Sequence, residues 1–142
     1  VEEKTDLSSI QRILDANLNR LKEGIRVVED TARYLQNDKE LASKLKDLRH
    51  RASLKSFTLL LSSRIVTSDV LRDTIPSETR RDGVYGIVLA NFKRAQESAR
   101  TLEEYLKCKE LQVFGESECF KNIRYDLYEI EKIFVLRYFK EI

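Results

Sequence analysis

Three observations predict an all-α fold, a four-helix bundle made of two copies of one helical hairpin joined by a long loop. Apolar residues recur at helical spacing in four long segments. With 4 Gly and 1 Pro in 142 residues, the chain lacks the turn residues that an all-β fold needs. Most informative is a duplication: at an offset of 74, Ala16-Asn17-x-x-Arg20-x-x-Glu23-x-x-Arg26-x-x-Glu29 falls on Ala90-Asn91-x-x-Arg94-x-x-Glu97-x-x-Arg100-x-x-Glu103. At an offset of 75, Leu45-Lys46-Asp47-Leu48-Arg49 falls on Phe120-Lys121-Asn122-Ile123-Arg124. Two such hairpins packed face to face make a bundle with approximate two-fold symmetry. The whole chain, 1–142, reads as one domain: repeat one 7–62, loop 63–82, repeat two 83–142.

The first helix spans about Leu7–Gln36, with Ile10, Ile13, Leu14, Leu18, Leu21, Ile25, Val28, Ala32 and Leu35 on one stripe and Ser8-x-x-Gln11 as a capping box. Gln36-Asn37-Asp38 breaks it, and Asn37 or Asp38 caps a second helix carrying Leu41, Leu45, Leu48, Ala52 and Leu59 to about Ser62. Ser63–Asp82 is polar and holds Pro76; it reads as a loop with a short helical turn near Val70–Asp73, and a connection this long points to function. A third helix covers about Gly83–Lys109, its last turn rich in Lys, which suits the negative pole of the dipole. After Gly115, Ser117 caps a fourth helix through Phe120, Ile123, Leu127, Ile130 and Phe134 to the chain end.

Composition excludes several classes. No two glycines stand at the spacing of a phosphate-cradling or dinucleotide-binding loop. One histidine, His50, and two distant cysteines, Cys108 and Cys119, cannot supply a usual four-ligand zinc site. The net charge of +2 gives no strong field for nucleic acid. Charged residues make up 35% of the chain, with a Lys/Glu enrichment of the kind seen in thermophiles. The longest apolar runs are too short for a membrane span, and unpaired thiols suit a reducing compartment, so a soluble cytoplasmic protein is expected.

Both copies keep polar residues that packing alone does not require. Asn17 and Asn91 lie within the apolar faces of their helices, where a buried amide must find hydrogen bonds. Either the two amides fix the register of the bundle or they contact a ligand. Arg20/Arg94 follow at the border of the face, and Glu23/Glu97, Arg26/Arg100 and Glu29/Glu103 wind outward. For Arg26 and Glu29 a solvated salt-bridge ladder is the favoured reading. Arg20, Arg94, Glu23 and Glu97 sit where a neighbouring helix or loop closes over them, and Gly24 and Ser98 leave room beside the arginines. Paired guanidinium groups in such a place suit a phosphate or carboxylate. His50 and the loop residues Arg80 and Arg81 read as incidental surface groups, and the cysteines as free structural thiols.

The stretch Arg12–Asp30 and the stretch Ala90–Tyr105 resemble the two signatures of the hydroxymethylpyrimidine-phosphate kinase family of bacterial thiamine biosynthesis, which occurs alone or fused ahead of thiamine-phosphate synthase. Leu45–His50, Asn122–Tyr125 and Arg64 with Asp69-Val70 match as well, whereas Ile65 stands where relatives tend to have Asp. The resemblance implies ATP- and Mg²⁺-dependent phosphorylation of 4-amino-5-hydroxymethyl-2-methylpyrimidine phosphate to the diphosphate, with a functional link to thiamine-phosphate synthase. An anionic phosphate acceptor needs no general base, which suits a chain with one histidine. On this reading Arg20, Arg94 and Arg64 are the catalytic residues that neutralise phosphate charge. Asn17, Arg26, Arg49, Asn91 and Arg100 bind substrate or nucleotide, and Glu23, Asp69 and Glu97 serve the metal. One half-site would face ATP and the other the substrate; the oligomeric state is left open, a homodimer included. Two other classes remain: a helical mutase or lyase whose arginines hold a dicarboxylate, and a non-enzymatic helical adaptor. ATP-dependent thermal stabilisation separates the kinase from both.

Overall fold

The computed structural model describes residues 6–140; the outermost ends of the expected domain, 1–5 and 141–142, lie outside the described residues. The described chain is helical, with no strand: α1 (Leu7–Asp30) with a π-helical extension (Thr31–Leu35), α2 (Lys39–Arg51), α3 (Phe57–Ser62), α4 (Gly83–Tyr105) and α5 (Ser117–Tyr138), with short 3₁₀ turns between. Each of α1, α2, α4 and α5 packs on two others in the order α2–α1–α4–α5, and α5 closes back on α2. This is the expected bundle. Its core is drawn from all four helices, with the rings of Phe92 and Phe134 meeting edge to face at 5.9 Å.

The element ends differ from the sequence reading in instructive ways. Asp6, not Ser8, caps α1, accepting from the Ser8 amide at 3.0 Å. Gln11 is turned instead towards Ser63, whose hydroxyl donates to it at 2.7 Å. Ser117 is the first residue of α5 rather than its cap, and its hydroxyl donates to the Glu103 carbonyl at 2.9 Å. The expected second helix does not run to Ser62: it stops at Arg51, and Ser56, at φ 58°, turns the chain into the separate α3. Tertiary contacts impose that break. The Lys22 ammonium donates to the Ala52 carbonyl at 3.0 Å, the Lys55 amide donates to the Phe114 carbonyl at 2.7 Å, and Leu54 packs on Gly115. The result lays α3 against α1 and delivers Ser63 and Arg64 to it. In the loop, a non-helical turn at Asp69–Arg72 stands where the short helical turn was expected, and the 3₁₀ turns fall at Val66–Ser68 and Pro76–Thr79. The third long helix ends at Tyr105, four residues early.

Two features fix the frame. The first is the α1–α4 crossing, where Gly24 lies against Asn91 and Ala95. A Cβ at position 24 would stand 2.9 Å from the Asn91 carbonyl oxygen and 3.3 Å from Ala95 Cβ. Backbone cannot swing aside as a side-chain tip can, so Gly24→Ala is expected to destabilise the bundle by about 1–3 kcal/mol, read as a lowered midpoint in chemical denaturation.

The second is Asp38, which caps α2 through the Leu41 amide (3.0 Å) and accepts from Arg137 (2.7 Å) and the Tyr138 hydroxyl (2.5 Å) at the end of α5. Burial by itself would raise its carboxyl; the Leu41 amide, Tyr138 and Arg137 outweigh that and hold it at about 2, below the ordinary 3.8. A depressed folded pKa means that the stabilisation is complete above about pH 4 and is lost as the pH falls towards 2. The acid limb of a stability profile should therefore be shallower in Asp38→Asn than in the parent, over that same window.

Candidate functional site

The polar residues kept in both repeats divide into two groups. Glu29 and Glu103 do not wind outward: they are 1% and 4% exposed, because the neighbouring helix of each hairpin covers them. Arg49 on α2 grips Glu29 through Nε at 2.6 Å and Nη2 at 3.2 Å, and Arg124 on α5 holds Glu103 at 3.0 Å. Both arginines are pushed up from their ordinary value, Arg49 chiefly by its bond to Glu29, Arg124 by the neighbouring Tyr128, over whose ring its guanidinium lies at 5.9 Å, and by its bond to Glu103. These are the same buried pair made twice, at the offsets read from the sequence. Arg49 is thus committed to Glu29, and it lines neither of the clefts described next.

The second group lies at the α1–α4 crossing. Asn17 and Arg20 of α1 line one cleft of about 320 Å³ with Arg94, Glu97, Ser98 and Thr101 of α4. Here the antiparallel helices bring the duplicated arginines together. Neither Arg20 nor Arg94 forms an ion pair among the described residues, and both are exposed. Asn17 and Asn91 do not bond each other; each amide donates to the carbonyl four residues earlier in its own helix, Ile13 and Ile87, at 2.9 Å.

Asn17 and Arg20 also line a second cleft of about 450 Å³, between α1 and the 63–82 loop, with Arg12, Asp15, Arg64 and Asp69. The loop is fastened there: Arg64 makes two 2.7 Å bonds to Asp15, which is 5% exposed, and Ser63 bonds to the buried Gln11. Its bonds to Asp15 raise Arg64 above its ordinary value, so this guanidinium is charged and paired. Asp69 lines the cleft while one carboxylate oxygen accepts from the Leu71 amide at 3.0 Å.

The structure therefore brings Asn17, Arg20, Arg64, Asp69, Arg94 and Glu97 to two clefts that share Asn17 and Arg20. Glu23, Asn91, Arg26 and Arg100 line neither; Arg26 pairs with Asp30 at 3.5 Å, and Arg100 pairs with Glu104 at 3.2 Å on the exposed face. Arg12 and Asp15 belong to the site and were not among the sequence candidates. Their counterparts in the second repeat are Gly86 and Leu89, so the duplication gave no signal for them. Among the described residues no group of three or more His, Cys, Asp or Glu is placed to hold a metal by itself. The arrangement suits an anion: unpaired guanidinium groups beside an amide, with no histidine nearby to act as a base.

A model of the ThiD2 family matches residues 12–133. The chain belongs to the ThiD2 family. Its similar relatives include thiamine-phosphate synthases from Thermosynechococcus vestitus, 35% identical over 128 residues, and from Synechocystis sp., 37% identical over 125. The alignments cover 89% and 87% of this ThiD2 chain but only 36% of each relative, so the chain spans about a third of their length. No solved structure matches it. No helix among the described residues is long and apolar enough to cross a membrane.

The buried pairs and the crossing arginines should part company under mutation. Arg49→Ala leaves the buried Glu29 carboxylate unpaired and is expected to cost about 3–5 kcal/mol in urea denaturation, with ligand binding per folded molecule unchanged; Arg124→Ala is expected to cost less, because Arg100 still pairs with Glu103 at 3.4 Å.

Proposed function

We propose that this ThiD2 domain is a kinase that uses ATP and Mg²⁺ to convert 4-amino-5-hydroxymethyl-2-methylpyrimidine phosphate to the diphosphate, with a functional link to thiamine-phosphate synthase. The carrying observation is the cleft in which Arg20 and Arg94, equivalent residues of the two repeats, stand unpaired on either side of the α1–α4 crossing. The signature motifs support this reading, and the name borne by the relatives, thiamine-phosphate synthase, supports a place in thiamine biosynthesis.

In the reaction a phosphate oxygen of the substrate attacks the γ-phosphorus of ATP, a new P–O bond forms, and the bond from that phosphorus to the β-phosphate oxygen breaks, its electrons leaving on the ADP. The acceptor is already ionised near neutral pH, so no side chain has to take a proton. What the protein supplies is position and positive charge. Arg20 and Arg94 face the phosphates, while Arg64, tied to Asp15, holds the loop in place. Mg²⁺ is commonly held by one or two carboxylates together with substrate phosphates, and bound in that way it neutralises phosphate charge. Asp69 and Glu97, each lining a cleft and neither in an ion pair among the described residues, fit that modest requirement; Glu23 lines neither cleft.

The test is a product assay with the pyrimidine monophosphate, ATP and Mg²⁺, following diphosphate by anion exchange. Turnover of the monophosphate and none of the free alcohol is expected; inactivity on the monophosphate overturns the assignment. Arg20→Ala and Arg94→Ala should each lower the rate by roughly 100-fold or more while the melting temperature barely moves. Full activity in both places the site elsewhere.

A further inference from the structure

The two repeats match at their centre and diverge at one end. By the repeat offsets, Gln11 and Asp15 correspond to Tyr85 and Leu89, and Ser63 and Arg64 correspond to Tyr138 and Phe139. In the first repeat these positions form a polar latch, Ser63 to Gln11 and Arg64 to Asp15. In the second, three of the four are rings that form an aromatic plug with Phe134: Tyr85 and Phe139 lie 5.1 Å apart, and Phe134 lies 5.6 Å from Tyr138 and 6.1 Å from Phe139. The latched end carries the cleft of about 450 Å³, within the usual size of a small-ligand pocket.

Asn17 and Asn91 occupy equivalent places in these unequal ends. Each donates to a carbonyl of its own helix, and that bond settles which way the amide faces, since two carbonyl oxygens would repel. Oδ1 and the second N–H are left over. Asn17 is 7% exposed and lines both clefts, so what remains of its hydrogen-bonding capacity meets whatever enters them. Asn91 lines neither.

We propose that Asn17, and not Asn91, reads the 4-aminopyrimidine edge of the ligand, so that the duplicated chain has one base-recognising half-site. A carboxamide sets an acceptor beside a donor, the complement of an exocyclic amine beside a ring nitrogen, which is how asparagine reads adenine. Arg20 lines the same cleft, so base and phosphate of one small ligand are met together. Asn91 keeps only the local role, bonding Ile87 beside the plug. The substrate's ring and the adenine of ATP both carry this edge. The choice of ligands rests on the kinase reading; the inequality of the two asparagines does not.

The experiment is isothermal titration calorimetry of the full chain and of Asn17→Leu and Asn91→Leu with two ligand pairs. One pair is the pyrimidine monophosphate and its 4-oxo counterpart; the other is ATP and inosine triphosphate. The parent should prefer the amino member of one pair by roughly 10- to 100-fold. Asn17→Leu should bring that preference close to one, and Asn91→Leu should keep it. Collapse confined to the pyrimidine pair assigns Asn17 to the substrate ring, and collapse confined to the nucleotide pair assigns it to adenine. A preference retained in Asn17→Leu, one lost equally in Asn91→Leu, or none in the parent overturns the proposal. A preference ratio does not depend on the folded fraction, so a weakened variant still reports. Selective binding without turnover would fail the kinase reading and leave Asn17 standing, whereas turnover with selectivity intact in Asn17→Leu would do the reverse.

Discussion

The approach of α1 to α4 at Gly24 is the constraint on which the rest depends. With hydrogen in place of a side chain, the α1 backbone comes within what would be 2.9 Å of the Asn91 carbonyl for a Cβ, and the two longest helices seat directly on each other. Their antiparallel run then puts residue 20 of one beside residue 94 of the other. Two guanidinium groups sharing a cleft repel each other, and nothing in the described chain neutralises them by an ion pair. That repulsion is relieved when an anion enters, so the packing that stabilises the bundle also prepares it for a negatively charged ligand.

Elsewhere the bundle joins its helices with paired charges. Glu29–Arg49 links α1 to α2, Glu103–Arg124 links α4 to α5, and Arg51–Asp126 at 2.9 Å and Asp38–Arg137 at 2.7 Å link α2 to α5. The α1–α4 edge is held instead by close packing, and its arginines are left without partners among the described residues. Among the described residues, interhelical ion pairs thus join the other three edges and none joins this one. Such a distribution separates the binding role proposed for Arg20 and Arg94 from the architectural role of Arg49 and Arg124, although all four lie in duplicated motifs.

Periodicity and duplication made the fold legible: helix positions, the two hairpins and the pairing of the repeats all follow from them. They did not separate the two duties of the repeated polar residues. On a single helical wheel Glu29 lies away from the apolar stripe, and only the neighbouring hairpin helix, which a wheel does not include, buries it. Arg12 and Asp15 escaped for the opposite reason. Their value to the cleft comes from Arg64 and the loop, which approach across 49 residues of sequence, and no second copy repeats them. The break at Ala52–Ser56 was hidden because no glycine or proline marks it; contacts from Lys22 and the α4–α5 connection impose it.

A duplicated chain begins with two equal ends, and a phosphoryl transfer between unlike partners needs a shared centre with unequal ends. The centre has stayed alike: Arg20 and Arg94 line one cleft, where, on the proposed reaction, both would meet the group that passes between donor and acceptor. The ends have moved apart, one keeping a polar latch around an open cleft, the other filling the same positions with Tyr85, Tyr138 and Phe139. On the proposed function, filling one end with aromatic rings removes a second identical site that would bind the same ligand twice and leave no room for its partner. On the proposed reaction, divergence at the ends and likeness at the centre are what a duplicated hairpin requires to act on two different molecules at once.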